Sequence, residues 1–168
     1  MSKHPHHDNP DPSPAEVTAH AAAARARKKT EAEAVGISDA FVSDLVEAFY
    51  ARIREDTMLG PIFAQRIADW PWHLDRMKGF WRSILHNSGE FSGNPMAKHM
   101  VIPDLSEAHF AHWLDLFYAT LRGMEGNPQA TALVGQRARM IADSLLTGIA
   151  MKQGGISGAR AGDRLPHV

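Results

Sequence analysis

The chain has 168 residues, enough for one domain with a single hydrophobic core and flanking segments. Its 18 basic and 19 acidic residues nearly balance, so no net field favours binding to nucleic acid or to an anionic membrane surface. The absence of cysteine excludes disulfides, iron–sulfur clusters and thiolate-bound metals, which leaves His, Asp, Glu, Met and Tyr as candidate metal ligands.

Residues 1–35 predict a mobile, partly helical extension. Its first part is polar and broken by prolines, and it lacks the apolar core of a signal peptide. Residues 15–34 are rich in alanine and charged side chains, which favour a helix but offer no broad apolar face. No apolar run approaches the roughly 18 residues of a membrane span, and we therefore expect a cytoplasmic protein.

Residues 36–153 predict an all-α folded domain, with four long helices and two short helical pieces. The long helices begin after a capping residue or at a proline, near Ser38 or Asp39, Asp69, Ser106 and Pro128. The short pieces begin near Gly60 and Pro95, and no segment shows the alternation of a strand. Residues 154–168, rich in glycine, predict a disordered tail.

Several polar groups within this domain are candidates for a functional site. Tyr50 and Trp113 fall within apolar helical stripes, so their O–H and N–H need partners once buried. His99 lies in a short segment bounded by prolines, where a histidine is more often a surface residue than a metal ligand. His109 and His112 have a spacing that suits a shared metal, although a polar helix face is the simpler interpretation. Motifs of serine nucleophiles, phosphate-binding loops and zinc proteases are absent.

Seven pieces of the sequence follow the order and spacing of one known family. They are Phe49-Tyr50, Leu59-Gly60-Pro61-Ile62-Phe63, Trp70-x-x-His73, Phe80-Trp81, Gly93-Asn94-Pro95-Met96 with Lys98-His99, Phe110-x-x-Trp113-Leu114-x-Leu116-Phe117, and Gln136-Arg137-Ala138-x-Met140-Ile141-Ala142. Over about residues 39–153 the chain resembles the group III, or P-type, truncated haemoglobins. The resemblance implies a two-over-two helical sandwich that encloses haem b.

The same resemblance implies roles for three of these polar residues, His99, Tyr50 and Trp113, and also for His73. His99 would be the proximal ligand of the haem iron. Tyr50 and Trp113 match the polar residues that face the bound ligand, and His73 falls at the distal histidine position. Met77, one turn after His73, departs from the bulkier branched residue that is frequent in the family, at a position that bears on the shape of the distal cavity.

A haem is a flat apolar disc with two carboxylates, and it therefore favours aromatic and aliphatic walls. Residues of this kind that are candidates to line it are Phe63, Met77, Phe80, Trp81, Phe91 and Met100. Arg76 is placed to meet a propionate, although a solvated helix face is an equally good interpretation of it.

These residues predict a protein that binds dioxygen, with nitric oxide and carbon monoxide as further ligands. Each donor aimed at a charged acceptor contributes about 1.5–3 kcal/mol, so two donors would retain dioxygen tightly. Such retention favours redox chemistry, either conversion of nitric oxide to nitrate or handling of peroxide, over oxygen transport. We expect a monomer served by an unidentified reductase. The alternatives are a haem-based ligand sensor, an oxygen-binding protein without catalysis, or a haem-free helical interaction module.

Overall fold

The computed structural model describes residues 11–154 and 161–168. This part of the chain contains seven α-helices and no strand, which confirms the predicted all-α fold. The helices are α1 (Pro14–Ala34), α2 (Asp39–Glu55), α3 (Gly60–Arg66), α4 (Trp70–Leu85), α5 (Pro95–Met100), α6 (Glu107–Gly123) and α7 (Pro128–Gly154). Residues 1–10 of the predicted extension and residues 155–160 of the predicted tail lie outside the described residues.

The helices begin where short-range side-chain chemistry favours them. Ser38 accepts a hydrogen bond from the Phe41 amide at the start of α2, and Asp69 accepts one from the Trp72 amide at the start of α4. Asn94 does the same for the short helix α5. Prolines occupy the first turn of α1, α3, α4 and α5, where a missing N–H removes no helical hydrogen bond.

Four long helices form the body of the domain as two packed pairs. Helix α2 packs against α4, α6 packs against α7, and the two pairs meet where α2 contacts α6. Fully buried side chains from these helices form one continuous core, among them Leu45, Ile53, Leu114, Phe117 and Val134. Burial of this apolar surface is the main stabilising contribution, and it produces the expected two-over-two arrangement.

The turn between α2 and α3 is held by one carboxylate. Asp56 accepts hydrogen bonds from the amides of Met58 and Leu59, and its other oxygen lies 2.7 Å from Nε2 of His112 on α6. Burial opposes ionisation of Asp56, but these hydrogen bonds outweigh it and hold the pKa of the carboxyl below its usual range. Gly60 is needed next to this turn, because a Cβ there would approach the Arg54 carbonyl oxygen to 3.1 Å.

The long helix α1 is largely exposed and touches the body of the domain at α4. At its C-terminal half, Lys29 pairs with Asp39 at the start of α2. Asp39 also lies 3.3 Å from Nδ1 of His86, whose Nε2 is 2.7 Å from the carbonyl oxygen of Ile37. His86 is only 2% exposed, and its two ring nitrogens face the Ile37 carbonyl and the half-exposed Asp39 carboxylate. A cleft of about 370 Å³ between α1 and α4 is lined by these charged groups together with Arg25, Arg82 and Glu90.

The end of the chain differs from the sequence expectation of a disordered tail over 154–168. Helix α7 continues to Gly154, and residues 161–168 lie against α6 and α7. Leu165 is buried, the Tyr118 hydroxyl donates to the Pro166 carbonyl, and Arg139 donates to the Leu165 carbonyl. A buried leucine, several hydrogen bonds and the ion pair of Arg164 with Glu107 therefore anchor a segment whose glycine content suggested disorder.

The length and hydropathy of the helices bear on whether any of them could cross a membrane. Within residues 11–154 and 161–168, none is both long enough and apolar enough to do so.

Candidate functional site

The first group of predicted residues meets between α2, α3 and α4. The ring of Tyr50 lies 5.2 Å from that of His73, with the two planes at 87°, and 5.9 Å from that of Phe63. Trp70 lies beside both polar residues, with ring centroids 5.8 Å from His73 and 6.1 Å from Tyr50. Tyr50, Phe63 and His73, far apart in sequence, are therefore neighbours.

His73 carries the unusual polar atom of this group. Among the buried side-chain nitrogens and oxygens of the described residues, its Nε2 is the one without a hydrogen-bond partner. Burial, and secondarily the charge of Arg76, lowers the pKa of His73, so the neutral ring is favoured. An unpaired buried nitrogen is costly, and in native structures it calls for a specific explanation, such as a catalytic role, a bound water or an ion.

Tyr50 is the second polar residue of this group. Its side chain is 6% exposed, and burial raises the pKa of the phenol well above its usual range. No hydrogen bond joins the hydroxyl to another residue of the described ranges. The neutral phenol is therefore a donor without an internal acceptor.

Trp113 belongs to an aromatic cluster next to this group. Its ring stacks on Phe117 at 5.4 Å and meets the edge of Phe49 at 5.3 Å, and Phe49 in turn contacts Tyr50 at 5.1 Å. Trp81 stacks on the opposite side of the same cluster, 5.1 Å from Phe117. These contacts hold the indole of Trp113 in one orientation on α6.

His99 lies on the short helix α5, half-buried. Its Nδ1 is 2.6 Å from the Pro95 carbonyl oxygen, and because a carbonyl can only accept, Nδ1 donates this bond. Nε2 then carries the lone pair of the neutral ring. This arrangement is the one by which proteins orient a histidine that binds a metal. Helix α5 packs on α7, where the missing side chain of Gly148 leaves room for Met96.

The remaining predicted residues extend the apolar surroundings. Phe80 contacts Trp81 at 5.8 Å and Phe91 at 5.1 Å, and both Met77 and Met100 are half-buried against the core. Arg76 lies over the rings of Trp72 and Phe91, at 4.9 and 5.1 Å from their centroids, and donates to the Ser92 carbonyl. Arg76 therefore stands at the edge of the aromatic cluster, beside the loop that precedes α5.

The structure does not join every predicted residue directly. None of the hydrogen bonds, ion pairs or ring contacts in residues 11–154 and 161–168 links His99 to Tyr50, His73 or Trp113. Two neighbours of the polar group were missed as site residues, Trp70 and Arg54. Their spacing was a usable signal, because Trp70 precedes His73 by one helical turn and Arg54 follows Tyr50 by one turn.

The other histidines of the domain have structural partners. His109 bonds to Ser106 at the start of α6, and His112 bonds to Asp56. The pair therefore faces two different partners, in line with the polar-face interpretation. No cluster of three or more His, Cys, Asp or Glu side chains poised to hold a metal ion occurs in the described part of the chain.

Two of three comparisons with known proteins find a similar protein. No family model matches the chain. The chain is 34% identical over 110 residues to the group 3 truncated hemoglobin ctb of Campylobacter jejuni, which covers 63% of this chain and 86% of that protein. It is also similar to the crystal structure of the group III truncated hemoglobin from Campylobacter jejuni, with a TM-score of 0.61 and 33% identity. That match covers 65% of this chain and 88% of the other.

Proposed function

We propose that this chain, which belongs to the group 3 truncated haemoglobins, holds haem b through His99 and binds dioxygen. Membership of this globin family implies that the chain binds gaseous ligands. The observation that carries the proposal is the pairing of two features. One is a histidine oriented by a backbone carbonyl, with a free Nε2. The other is the buried Nε2 of His73, which has no hydrogen-bond partner, next to Tyr50, whose hydroxyl makes no hydrogen bond to the described residues.

These donors fit a haem iron. Without cysteine, a neutral imidazole is the natural axial ligand, and the Pro95 carbonyl orients the ring of His99 by accepting a hydrogen bond from its Nδ1–H. When bound, haem supplies an iron that takes a diatomic ligand such as dioxygen, nitric oxide or carbon monoxide. The half-buried or buried rings of Phe63, Phe80, Trp81 and Phe91 provide apolar walls for the macrocycle.

On the ligand side, the chain supplies hydrogen-bond donors. The Tyr50 hydroxyl and the Trp113 indole N–H donate to a polar diatomic ligand, and His73 contributes its unpaired Nε2. Because these side chains are held by ring packing, they are positioned before the ligand arrives, which limits the entropy lost on binding.

The edge of this pocket is suited to the charged groups of haem. Arg76 lies beside Phe91 and its guanidinium donates to a backbone carbonyl, which a propionate carboxylate would readily replace as an acceptor. Met77 and Met100 complete the lining with flexible apolar side chains that adapt to an irregular space.

We further propose that retained dioxygen is used for reaction. Conversion of dioxygen and nitric oxide to nitrate consumes one electron overall, so the function includes a reductase that supplies it. Peroxide handling is the other redox candidate. The cytoplasmic location and the monomeric state expected from the sequence stay predictions.

Visible spectra of the purified chain test the haem proposal directly. We expect a Soret band in the ferric, ferrous and carbon monoxide forms, and loss of the parent's axial coordination in His99→Gly. A colourless chain that does not take up haemin, or a His99→Gly variant with an unaltered spectrum, would refute it. For the redox proposal, stopped-flow mixing of the oxygenated protein with nitric oxide should give rapid, stoichiometric nitrate.

A second candidate function is ligand sensing. It is favoured by the packing of α1 on α4, the helix that carries His73. A change at His73 on ligand binding would then be passed to the extension. Deleting residues 1–36 should alter ligand-binding rates if this coupling exists, and unchanged rates together with unchanged binding partners would count against it.

A further inference from the structure

Trp70 lies beside two of the residues proposed to face the ligand, Tyr50 on α2 and His73 on α4. It is the first residue of α4, one turn before His73, and its ring meets that of His73 edge-on at 85°. The same indole lies 6.1 Å from the ring of Tyr50. A single half-buried side chain therefore touches both residues proposed to face the ligand.

Trp70 is itself covered from outside by Arg54. The Arg54 guanidinium lies 4.6 Å from the centre of the Trp70 ring, within the range of a cation–π interaction. Arg54 is in the last turn of α2, one turn after Tyr50, where a positive charge also suits the helix dipole. No ion pair in residues 11–154 and 161–168 involves Arg54, so the indole face is its principal described contact.

The contact between Arg54 and Trp70 therefore joins the end of α2 to the start of α4, next to Tyr50 and His73. An imidazole with an unpaired buried nitrogen gains by turning toward water, so packing must hold the inward position of His73. Phe63 lies against Tyr50, and the contact on the α4 side comes from Trp70. If Trp70 were free to move, the outward rotation of His73 would meet less resistance.

We propose that Trp70, clamped by Arg54, is the positioning residue that keeps His73 and Tyr50 aimed at the ligand. The inference rests on the proposed haem function, and it adds two residues to Tyr50, His73 and Trp113, the three proposed to face the ligand. Neither Trp70 nor Arg54 donates to the ligand in this proposal. They act through His73 and Tyr50.

The test uses the full chain loaded with haem, in its carbon monoxide form, and follows the His73 ring by NMR. The charged and titratable groups around this ring are Arg76 on its own helix and Tyr50 on α2, with Arg54 beyond Trp70. In Trp70→Leu we expect loss of close contacts between His73 and Tyr50. We also expect the pKa of His73 to move up toward its usual value, because the ring becomes solvated.

Ligand kinetics provide the second measurement. Loss of one aligned donor should make dioxygen dissociation about tenfold faster in Trp70→Leu. Arg54→Gln should change both readouts in the same direction by a smaller factor. Trp70→Phe keeps an aromatic edge against His73 and should retain most of the parent behaviour in both measurements. If Trp70→Leu does not fold, Arg54→Gln and Trp70→Phe still test the inference.

Trp72→Leu is the matched control. Trp72 lies two residues along the same helix and is likewise covered by an arginine, Arg76, but it is 59% exposed and has no ring contact with His73. An unchanged His73 ring in Trp70→Leu, or an equal effect from Trp72→Leu, would overturn the inference. Either result would leave a normal haem spectrum, whereas failure of the proposed function would show as absence of that spectrum.

Discussion

Replacement of Tyr50 by phenylalanine separates its role in ligand binding from its role in the fold. The variant keeps the aromatic ring and therefore its packing against Phe63, His73 and Phe49. It removes only a hydroxyl that has no hydrogen bond to the described residues. We expect the free energy of unfolding to change by less than about 0.5 kcal/mol.

The effect on dioxygen should be much larger. A donor to a ligand that carries partial negative charge contributes about 1.5–3 kcal/mol. At 1.4 kcal/mol per factor of ten, dioxygen should dissociate about ten to a hundred times faster from Tyr50→Phe. Carbon monoxide, a weaker hydrogen-bond acceptor, should show a much smaller change. Stopped-flow replacement of dioxygen by carbon monoxide measures the first rate, and replacement of carbon monoxide by nitric oxide measures the second.

The chain's other tyrosine provides a control with the opposite expectation. Tyr118 donates to the Pro166 carbonyl on the side of α6 that faces the C-terminal segment. Tyr118→Phe should lower the free energy of unfolding by about 1 kcal/mol and leave dioxygen dissociation unchanged. If Tyr50→Phe released dioxygen at the parent rate while its haem spectrum was normal, the assignment of Tyr50 as a donor would be refuted.

Three further predictions concern the body of the domain. His86→Leu leaves the Ile37 carbonyl without its buried donor and should cost about 1–3 kcal/mol in urea unfolding; an unchanged midpoint would contradict this. Phe117→Ala, which empties the space between two stacked tryptophans, should cost about 3–5 kcal/mol and reduce the near-ultraviolet circular dichroism. Asp56, with a pKa held low in the fold, contributes stability above its unfolded pKa that is lost as the pH falls below about 3.9. Asp56→Asn should therefore lower stability at pH 7 and flatten its decline in acid, and parallel profiles would count against the assignment.

The starts of the helices could be predicted because the hydrogen bonds that cap them join residues only a few positions apart. Asp69 and Ser38 bond to amides three residues ahead, and the apolar stripes that follow are periodic in the sequence itself. The grouping of Tyr50 with His73 was not available from such local patterns. It came from the resemblance to a family, and the structure places the two rings in contact.

What could not be predicted depends on contacts between distant segments. Leu165 is buried against helices that precede it, so its glycine-rich surroundings were a poor guide to its order. The buried bond between His86 and the Ile37 carbonyl spans 49 residues of sequence, which no local pattern reports. Arg54 and Trp70 likewise come from two helices whose relative position no local pattern specifies.

Helix α1 is held to the rest of the domain by weak contacts, which affects how readily it opens. Its Lys29 bridges to Asp39 between side chains that are about half exposed, and such ion pairs are weak and screened by salt. Only Ala32 of this helix is buried. Local opening of α1 should therefore require far less free energy than global unfolding, so its amide hydrogens would exchange first, and more readily as ionic strength rises.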